Sequence, residues 1–139
     1  MIKELVYDEA ILSTPCEPAT AEDADLAQDL IDTLASIDDA VCLAANQIGV
    51  TKAVVVYQDD DGAAHVMYNP KVLAGFAAAK VEESCLTHEE PVRVTRFAKI
   101  KVSFDELVDG QLKSRRRDYM GWTAQMVQHM VDHCKGKLV

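Results

Sequence analysis

The chain has 139 residues and a mass of 15.3 kDa, and 49% hydrophobic with 27% charged residues is the composition of one compact globular domain over residues 1–139. Its 14 Lys and Arg against 23 Asp and Glu give a formal net charge of -9, so it lacks the positive surface that a nucleic-acid backbone requires. Its apolar stretches are far shorter than the roughly 18 residues needed to cross a bilayer. These features exclude a transmembrane protein and predict no direct nucleic-acid or membrane partner.

The N-terminus and the cysteines indicate the compartment. The first residues, Met1 to Leu5, lack the basic and then apolar layout of a secretory signal, so we expect the protein in the cytoplasm. Four widely spaced cysteines occur in a chain that is large enough to fold without disulfides. We therefore expect free thiols at Cys16, Cys42, Cys85 and Cys134.

The first predicted element is an amphipathic helix from Thr20 to about Ser36. Thr20 is a suitable N-cap, and acidic residues follow it in the first turn. Leu26, Leu30 and Leu34 recur every four residues, while aspartates occupy other positions. The helix is expected to bury its leucine face.

From residue 51 to about 118, short β-rich runs separated by turn residues predict strands. The runs are Lys52 to Gln58, Ala64 to Tyr68, a segment around Val81, Ile100 to Phe104 and Gln111 to Arg116. The predicted turns contain Asp59 to Gly62, Asn69-Pro70 and Asp109-Gly110, of which the last is typical of a hairpin.

A second helix is predicted over Gly121 to Cys134. Lys135 and Gly136 follow it as a cationic last turn and a C-cap. The order of helix, strands and helix predicts an α+β domain with a largely antiparallel sheet.

Two histidines on this helix are the sharpest local feature. His129 and His133 are four residues apart, so their imidazoles lie on the same helix face at a separation that suits one metal ion. Trp122 and Met126 share that face, which is therefore expected to point into a packed interior. Two ordinary histidines with hydrogen-bond partners are the alternative.

A transition metal needs further ligands, and Cys85 is the strongest remaining candidate. His88 follows it at Cys-x-x-His spacing, so a closed structural zinc site that also contains His129 and His133 is an alternative. A third stretch, Ala40 to Gly49, is rich in small residues that allow a close backbone approach. In it Gln47 could offer an amide N–H to a ligand or be an ordinary loop residue.

Taken together, these stretches resemble the peptide deformylase family. Ala40 to Gln47 match its Gly-x-Gly-Leu-Ala-Ala-x-Gln motif, Glu83 to Thr87 match Glu-Gly-Cys-Leu-Ser, and Gln128 to His133 match Gln-His-Glu-x-Asp-His. With the N-terminal helix and the Gly-Lys-Leu after the histidines, the resemblance covers essentially the whole chain, and the ending at Val139 is similar to compact members. It implies antiparallel strands around a central C-terminal helix that carries His-x-x-x-His.

The resemblance implies a metal-dependent amide hydrolase. Cys85, His129 and His133 would be the ligands, and an open fourth position would hold the water that attacks a formyl carbonyl. The expected cofactor is one divalent ion, Fe(II) in the cell, with Zn(II) or Ni(II) as alternatives. The expected partners are N-terminal formyl-methionyl peptides at the ribosome, and the expected state is a monomer or a weak homodimer.

Family positions also assign roles toward the substrate. The amide of Gln47 and the backbone N–H of Leu86 would stabilise the developing oxyanion. Cys42 would stand where the substrate backbone passes. The methionine pocket would be formed by Val41, Val81, Trp122 and Met126, for which an ordinary core role is the alternative.

The largest departure from the family motifs is Met130, which occupies the position of the Glu that transfers protons. A thioether exchanges no proton, and general acid–base catalysis contributes about 10²–10⁴ in rate, so we expect a severe loss of activity. Glu89 and Glu90 could supply a carboxylate from another direction. A catalytically inactive module that binds metal and peptide is the alternative function.

Smaller departures affect the loops around the site. Cys42 and Ser84 stand at glycine positions, and Asn46 stands where proline or threonine is common. Asp132 is kept, and we expect it to support the metal ligands through an ion pair or hydrogen bond. Arg93 and Arg96 are candidates for that pairing or for a contact with the peptide.

Overall fold

The computed structural model describes the backbone of residues 1–139 and every side chain except that of Glu89. The described backbone forms α1 (Glu9–Leu12), α2 (Ala24–Ser36), β1 (Cys42–Ala44), β2 (Val54–Gln58), β3 (Ala64–Cys85), β4 (His88–Val108), β5 (Gln111–Met120) and α3 (Gly121–Cys134). Single 3-10 turns cover Ala21–Asp23 and Ala45–Ile48. Among the described residues, no helix is both long enough and apolar enough to span a membrane.

The five strands form one antiparallel sheet in the order β1-β2-β3-β4-β5. The predicted α+β class is confirmed. Most of the pairing lies in the long hairpin of β3 and β4, which turns at Leu86 and Thr87 and sets Cys85 opposite His88. The hairpin therefore places Cys85 at its tip.

The core is divided by β2, whose two faces are both buried. Val55 and Tyr57 pack in one apolar cluster with residues of α3, while Val54 and Val56 pack in the other with Leu30 of α2. Because successive side chains of a strand point to opposite faces, β2 separates the two helices. Helix α3 packs in the same apolar cluster as Ile100 and Val102 of β4.

Local signals predicted the helices and two of the three turns. Asp59 to Gly62 connect β2 and β3 as predicted, with Gly62 at a φ of 81°. The Thr20 side chain caps the segment, but its first turn is 3-10 and the α-helix begins at Ala24 before ending at Ser36 as predicted. The last helix has the predicted bounds. Asp109 and Gly110 both have positive φ, 52° and 79°, and form the predicted hairpin turn between β4 and β5.

Strands β3, β4 and β5 are longer than predicted, whereas β2 begins at Val54 instead of Lys52. The predicted Asn69-Pro70 turn is wrong. Both residues lie inside β3, at a register shift between Tyr68 and Lys71. Asn69 adopts a φ of 54° there, and its side chain exchanges hydrogen bonds with the backbone of Ala19 at 2.7 and 3.0 Å. A bulge accommodates a proline that has no N–H to donate, so the strand continues. The short elements α1 and β1 were not predicted.

The N-terminal arm packs against the end of α3. All four cysteines are free thiols as expected, and the Cys16 N–H donates to the Cys134 carbonyl at 2.8 Å. Gly136 follows with a φ of 78°, and a Cβ added there would lie 2.6 Å from the Ser13 oxygen and 2.9 Å from the Pro15 nitrogen. This close approach requires a glycine.

Gly136→Ala is therefore expected to lower the free energy of unfolding by more than Gly62→Ala does. Gly62 has a similar φ of 81°, but a Cβ there meets nothing within 4 Å. The left-handed conformation alone costs a non-glycine residue about 1 kcal/mol or more, and the backbone clash at Gly136 adds to it. Urea denaturation of both variants measures the difference, and equal losses would contradict a close contact between the arm and α3.

Candidate metal centre and active site

Three metal-ligating side chains converge between the β3–β4 hairpin and α3. The Sγ of Cys85 lies 3.4 Å from Nε2 of His133, which lies 3.1 Å from Nε2 of His129, and the three ligand atoms all lie within 4.8 Å of one another. Tetrahedral zinc, with its bonds of about 2.0–2.3 Å, places neighbouring ligand atoms about 3.3–3.6 Å apart. The separations and the chemistry of this donor set fit one metal ion.

The helix places both imidazoles on one face, as their spacing predicts. His129 and His133 are 6% and 2% exposed. Met126 shares the buried face, but the expected burial of Trp122 is wrong, because its side chain is 54% exposed. It is the second residue of α3, and the residues before it, Met120 at the end of β5 and Gly121, are exposed too.

A buried ion-pair network orients one of these ligands. Nδ1 of His129 contacts the Glu83 carboxylate at 2.8 Å. Arg96 holds that carboxylate with two hydrogen bonds, at 2.9 and 2.7 Å, and donates to Asp132 at 2.8 Å. A carboxylate on the far nitrogen of an imidazole fixes its orientation, so Nε2 of His129 faces the other ligand atoms.

This network shows which arginine pairs with Asp132, and it includes Glu83, which had no predicted role. Asp132 pairs with Arg96, whereas Arg93 is exposed. Glu83 was matched only to the first residue of the Glu-Gly-Cys-Leu-Ser motif, and its contact with His129 was not predicted. It stands two residues before Cys85 on the same strand, so both side chains point to the same face, which is a signal that could have identified it.

Arg96→Met is expected to lower the free energy of unfolding by about 3–5 kcal/mol, because it leaves the buried Glu83 carboxylate with only His129, and that of Asp132 with only the exposed Lys137 at 3.7 Å, as charged partners. Arg93→Met, on the same strand but exposed, is the matched control and is expected to change stability by less than about 0.5 kcal/mol. Chemical denaturation measures both. Similar values for the two variants would show that the network does not support the fold.

Charge is concentrated at Cys85 and His129. Burial raises the pKa of Cys85, but hydrogen bonds with His129 and His133 outweigh it and lower the pKa to about 5. Burial lowers the pKa of His129, but its contacts with Cys85 and Glu83 outweigh it and raise the pKa to about 9. At neutral pH the metal-free site therefore holds a thiolate beside an imidazolium, and a thiolate is the form that binds metals.

The contribution of Cys85 and His129 to the free energy of unfolding decreases at both low and high pH. For Cys85 the pKa is lowered on folding, so its contribution is complete above the unfolded value near 9 and is lost as the pH falls through about 5. For His129 the pKa is raised, so its contribution is complete below 6.5 and is lost as the pH rises through about 9.

In metal-free protein, the ultraviolet absorbance of the Cys85 thiolate is therefore expected to titrate with a midpoint near pH 5. Cys85→Ser should remove this transition. Cys42→Ser is the matched control and should leave it in place, because burial, with added repulsion from Cys85 and Glu83, raises the pKa of Cys42 to about 12. A midpoint near the ordinary thiol value would contradict the ion pair.

The stretch before β2 reaches the same site. Gln47 is buried, its Oε1 accepts from the Ala44 N–H at 2.9 Å, and its Nε2 donates to Cys85 Sγ at 3.3 Å and to Thr87 at 3.1 Å. The amide is thus held with its N–H groups toward the ligand cluster. Beside it, the Asn46 side chain donates to the His133 carbonyl at 3.0 Å and supports the end of α3.

A cavity of about 350 Å³ opens beside the ligands. Its lining includes Val41, Cys42, Gln47, Cys85, Leu86, Trp122, Met126, His129 and Met130. Val81 is not among the described lining residues. It lies four residues before Cys85 along β3, and its place in the methionine pocket stays a prediction.

Other predicted ligands lie apart from the cluster. His88 is outside the group of ligating atoms found among the described side chains, and its Nδ1 contacts the Glu90 carbonyl at 2.7 Å. The closed site with His88 is therefore not supported. Glu90 is exposed, and the side chain of Glu89 lies outside the described residues.

Comparison with known proteins places this geometry in a family. A family model described as polypeptide deformylase matches residues 2–139. The chain belongs to the peptide deformylase family. Membership confirms the resemblance seen in the three motifs, and the family together with the cysteine and histidine cluster indicates a hydrolase that binds one metal ion.

Individual relatives and structures agree with this family. The peptide deformylase of Clostridium beijerinckii is 35% identical over an alignment of 140 positions that covers 100% of both chains. That of Aquifex aeolicus is 33% identical over 98% of this chain and 84% of its own length. The structure of the Acinetobacter baumannii class I type b enzyme bound to Met-Ala-Ser has a TM-score of 0.85 and 26% identity, over 99% of this chain and 97% of its own.

Proposed function

We propose that this chain is a peptide deformylase-like metal hydrolase that acts on the N-formyl group of N-terminal formylmethionine in nascent peptides, and that Met130 impairs its activity. The observation that supports this best is the convergence of the Cys85, His129 and His133 ligand atoms beside an apolar cavity. Peptide deformylases act on formylated nascent peptides, so family membership supplies the class of substrate.

In this proposal Cys85, His129 and His133 hold one divalent ion, with Fe(II) expected in the cell and Zn(II) or Ni(II) as alternatives. Such an ion polarises a carbonyl and lowers the pKa of a bound water. Glu83 keeps the His129 ring aimed at the ion, and Arg96 keeps Glu83 in place.

The surrounding residues bind and orient the peptide. The amide N–H groups of Gln47, already directed at the cluster, and the backbone N–H of Leu86 stabilise negative charge on the formyl oxygen. Val41, Trp122 and Met126 line the cavity and receive the methionine side chain, and Cys42 stands beside the peptide backbone. About 350 Å³ is within the usual range of ligand sites, roughly 300–1,000 Å³.

Proton transfer is the weak part of this site. Met130 is 1% exposed and has no group that gains or loses a proton. Glu83 also lines the cavity, but both of its oxygens are engaged by Arg96 or His129. Although burial raises the pKa of Glu83, its contacts with His129 and Arg96 lower the pKa to about 2, so it stays ionised and does not carry protons near neutral pH. Asp39 and Glu82 line only the exposed rim.

The same observation favours a second candidate function, a catalytically inactive module that binds metal and N-terminal peptides. It keeps the fold, the ligand cluster and the cavity, and it lacks turnover. For either function we propose action in the cytoplasm on chains emerging from the ribosome, as a monomer or a weak homodimer.

Deformylation of a formyl-methionyl peptide tests the proposal. We expect slow turnover by wild-type protein loaded anaerobically with Fe(II), Ni(II) or Zn(II), and a rate about 10²–10⁴ higher for Met130→Glu, which restores a proton-transferring group. Met130→Gln is the matched control, because it has nearly the same shape as glutamate but does not ionise, and it is expected to stay slow.

The outcomes separate the candidates. No turnover in wild type with turnover in Met130→Glu would favour the inactive binding module. Equal turnover in wild type and Met130→Glu would show that another group transfers the proton. Metal-loaded Met130→Glu that neither binds nor deformylates the peptide would overturn the assignment of substrate.

A further inference from the structure

The cavity beside the histidine pair is lined by four sulfur-containing side chains: Cys42, Cys85, Met126 and Met130. Thiolate and thioether sulfur are soft donors, and soft donors favour soft metal ions. The buried carboxylate of this wall, Glu83, has both oxygens engaged in hydrogen bonds with Arg96 and His129. Apart from the polar side chains of Asp39, Glu82, Ser84 and Gln125, the groups that line this cavity and remain free to contact an ion are sulfur and imidazole.

Met130 is the methionine closest in sequence to both histidine ligands. It follows His129 directly and precedes His133 by three residues, so around the helix it lies about 100° from the first and about 60° from the second. Its side chain is 1% exposed and lines the same cavity as Cys85 and His129. The thioether thus belongs to a buried side chain that lines the same cavity as two of the three ligands and packs in the apolar cluster beside them.

We propose that Met130 supplies a thioether ligand, which completes a site of Cys85, His129, His133 and Met130 that binds copper as Cu(I). One cysteine, two histidines and a weakly bound methionine are the donors of blue-copper centres, one class of mononuclear copper site. Zinc is bound in proteins by cysteine, histidine and carboxylate. The thioether is consequently the donor that favours copper over zinc at this site.

This inference rests on the metal site of the proposed function and gives Met130 a positive role there. A thioether that cannot transfer a proton can still donate a lone pair to a soft ion. The site would then hold copper in a chain whose catalytic activity is impaired. Binding is the only property assigned to the copper form.

Competition measurements on the full chain under anaerobic conditions test this role. Cu(I) affinity is measured against the chromogenic chelator bicinchoninate, and Zn(II) affinity against a fluorescent zinc chelator. Met130→Leu removes the sulfur at nearly constant volume. Met126→Leu is the matched control, because it makes the same change on the same helix and in the same cavity, one turn farther from His133.

Removal of a residue that hydrogen-bonds to a metal ligand typically lowers the affinity for the metal about 10–100-fold. Removal of a direct ligand is therefore expected to lower it at least about tenfold. We therefore expect Met130→Leu to weaken Cu(I) binding at least about tenfold and to leave Zn(II) binding unchanged. Met126→Leu is expected to change neither. X-ray absorption of the Cu(I) form should show two sulfur ligands in wild type and one in Met130→Leu.

The possible negative results of these affinity measurements lead to different conclusions. If Zn(II) binds but Cu(I) affinity is the same in wild type and Met130→Leu, the thioether ligand is excluded and the metal site of the proposed function stands. If Met126→Leu or Cys42→Ser, rather than Met130→Leu, weakens Cu(I) binding, the assignment to Met130 is overturned. If the folded protein binds neither ion, the metal site itself fails, and both proposals fail with it.

Discussion

The position of the site depends on one buried guanidinium. Arg96 lies on β4, yet it holds Glu83 of β3 through two hydrogen bonds and Asp132 of α3 through a third. A charge in the interior is stable only when it is paired and hydrogen-bonded, so the three side chains bind one another in a single arrangement. That arrangement fixes the distance between the hairpin that carries Cys85 and the helix that carries His129.

The same network determines which side chains near the ligand cluster are available to transfer protons. Because Glu83 is used to orient His129 and to neutralise Arg96, it is not free to exchange protons or to bind an ion. Acid–base chemistry near the ligand cluster therefore depends on the side chain at position 130. In the proposed function methionine there limits proton transfer, and in the proposed copper site it supplies a soft donor, so both proposals depend on this one residue.

The long β3–β4 hairpin explains how distant residues meet. Its two-residue turn brings Cys85 within 3.4 Å of His133, although 48 residues separate them in the chain. Gln47 arrives from a third direction, since the 3-10 turn after β1 directs its amide at the same sulfur. A cavity between these elements follows from their convergence, and its lining combines residues from all of them.

Periodic and capping signals sufficed for the two long helices, the Asp109-Gly110 hairpin and the histidine pair, because each depends on residues within a few positions of one another. The ligand cluster itself was named through the family motifs. Strand length and the continuation of β3 through Asn69 depend on pairing with β4, which is distant in sequence. The contact of Glu83 with His129, the choice of Arg96 and the exposure of Trp122 likewise depend on how α3 lies against the hairpin. Packing between distant segments has no local periodicity, so it could be read only from the folded chain.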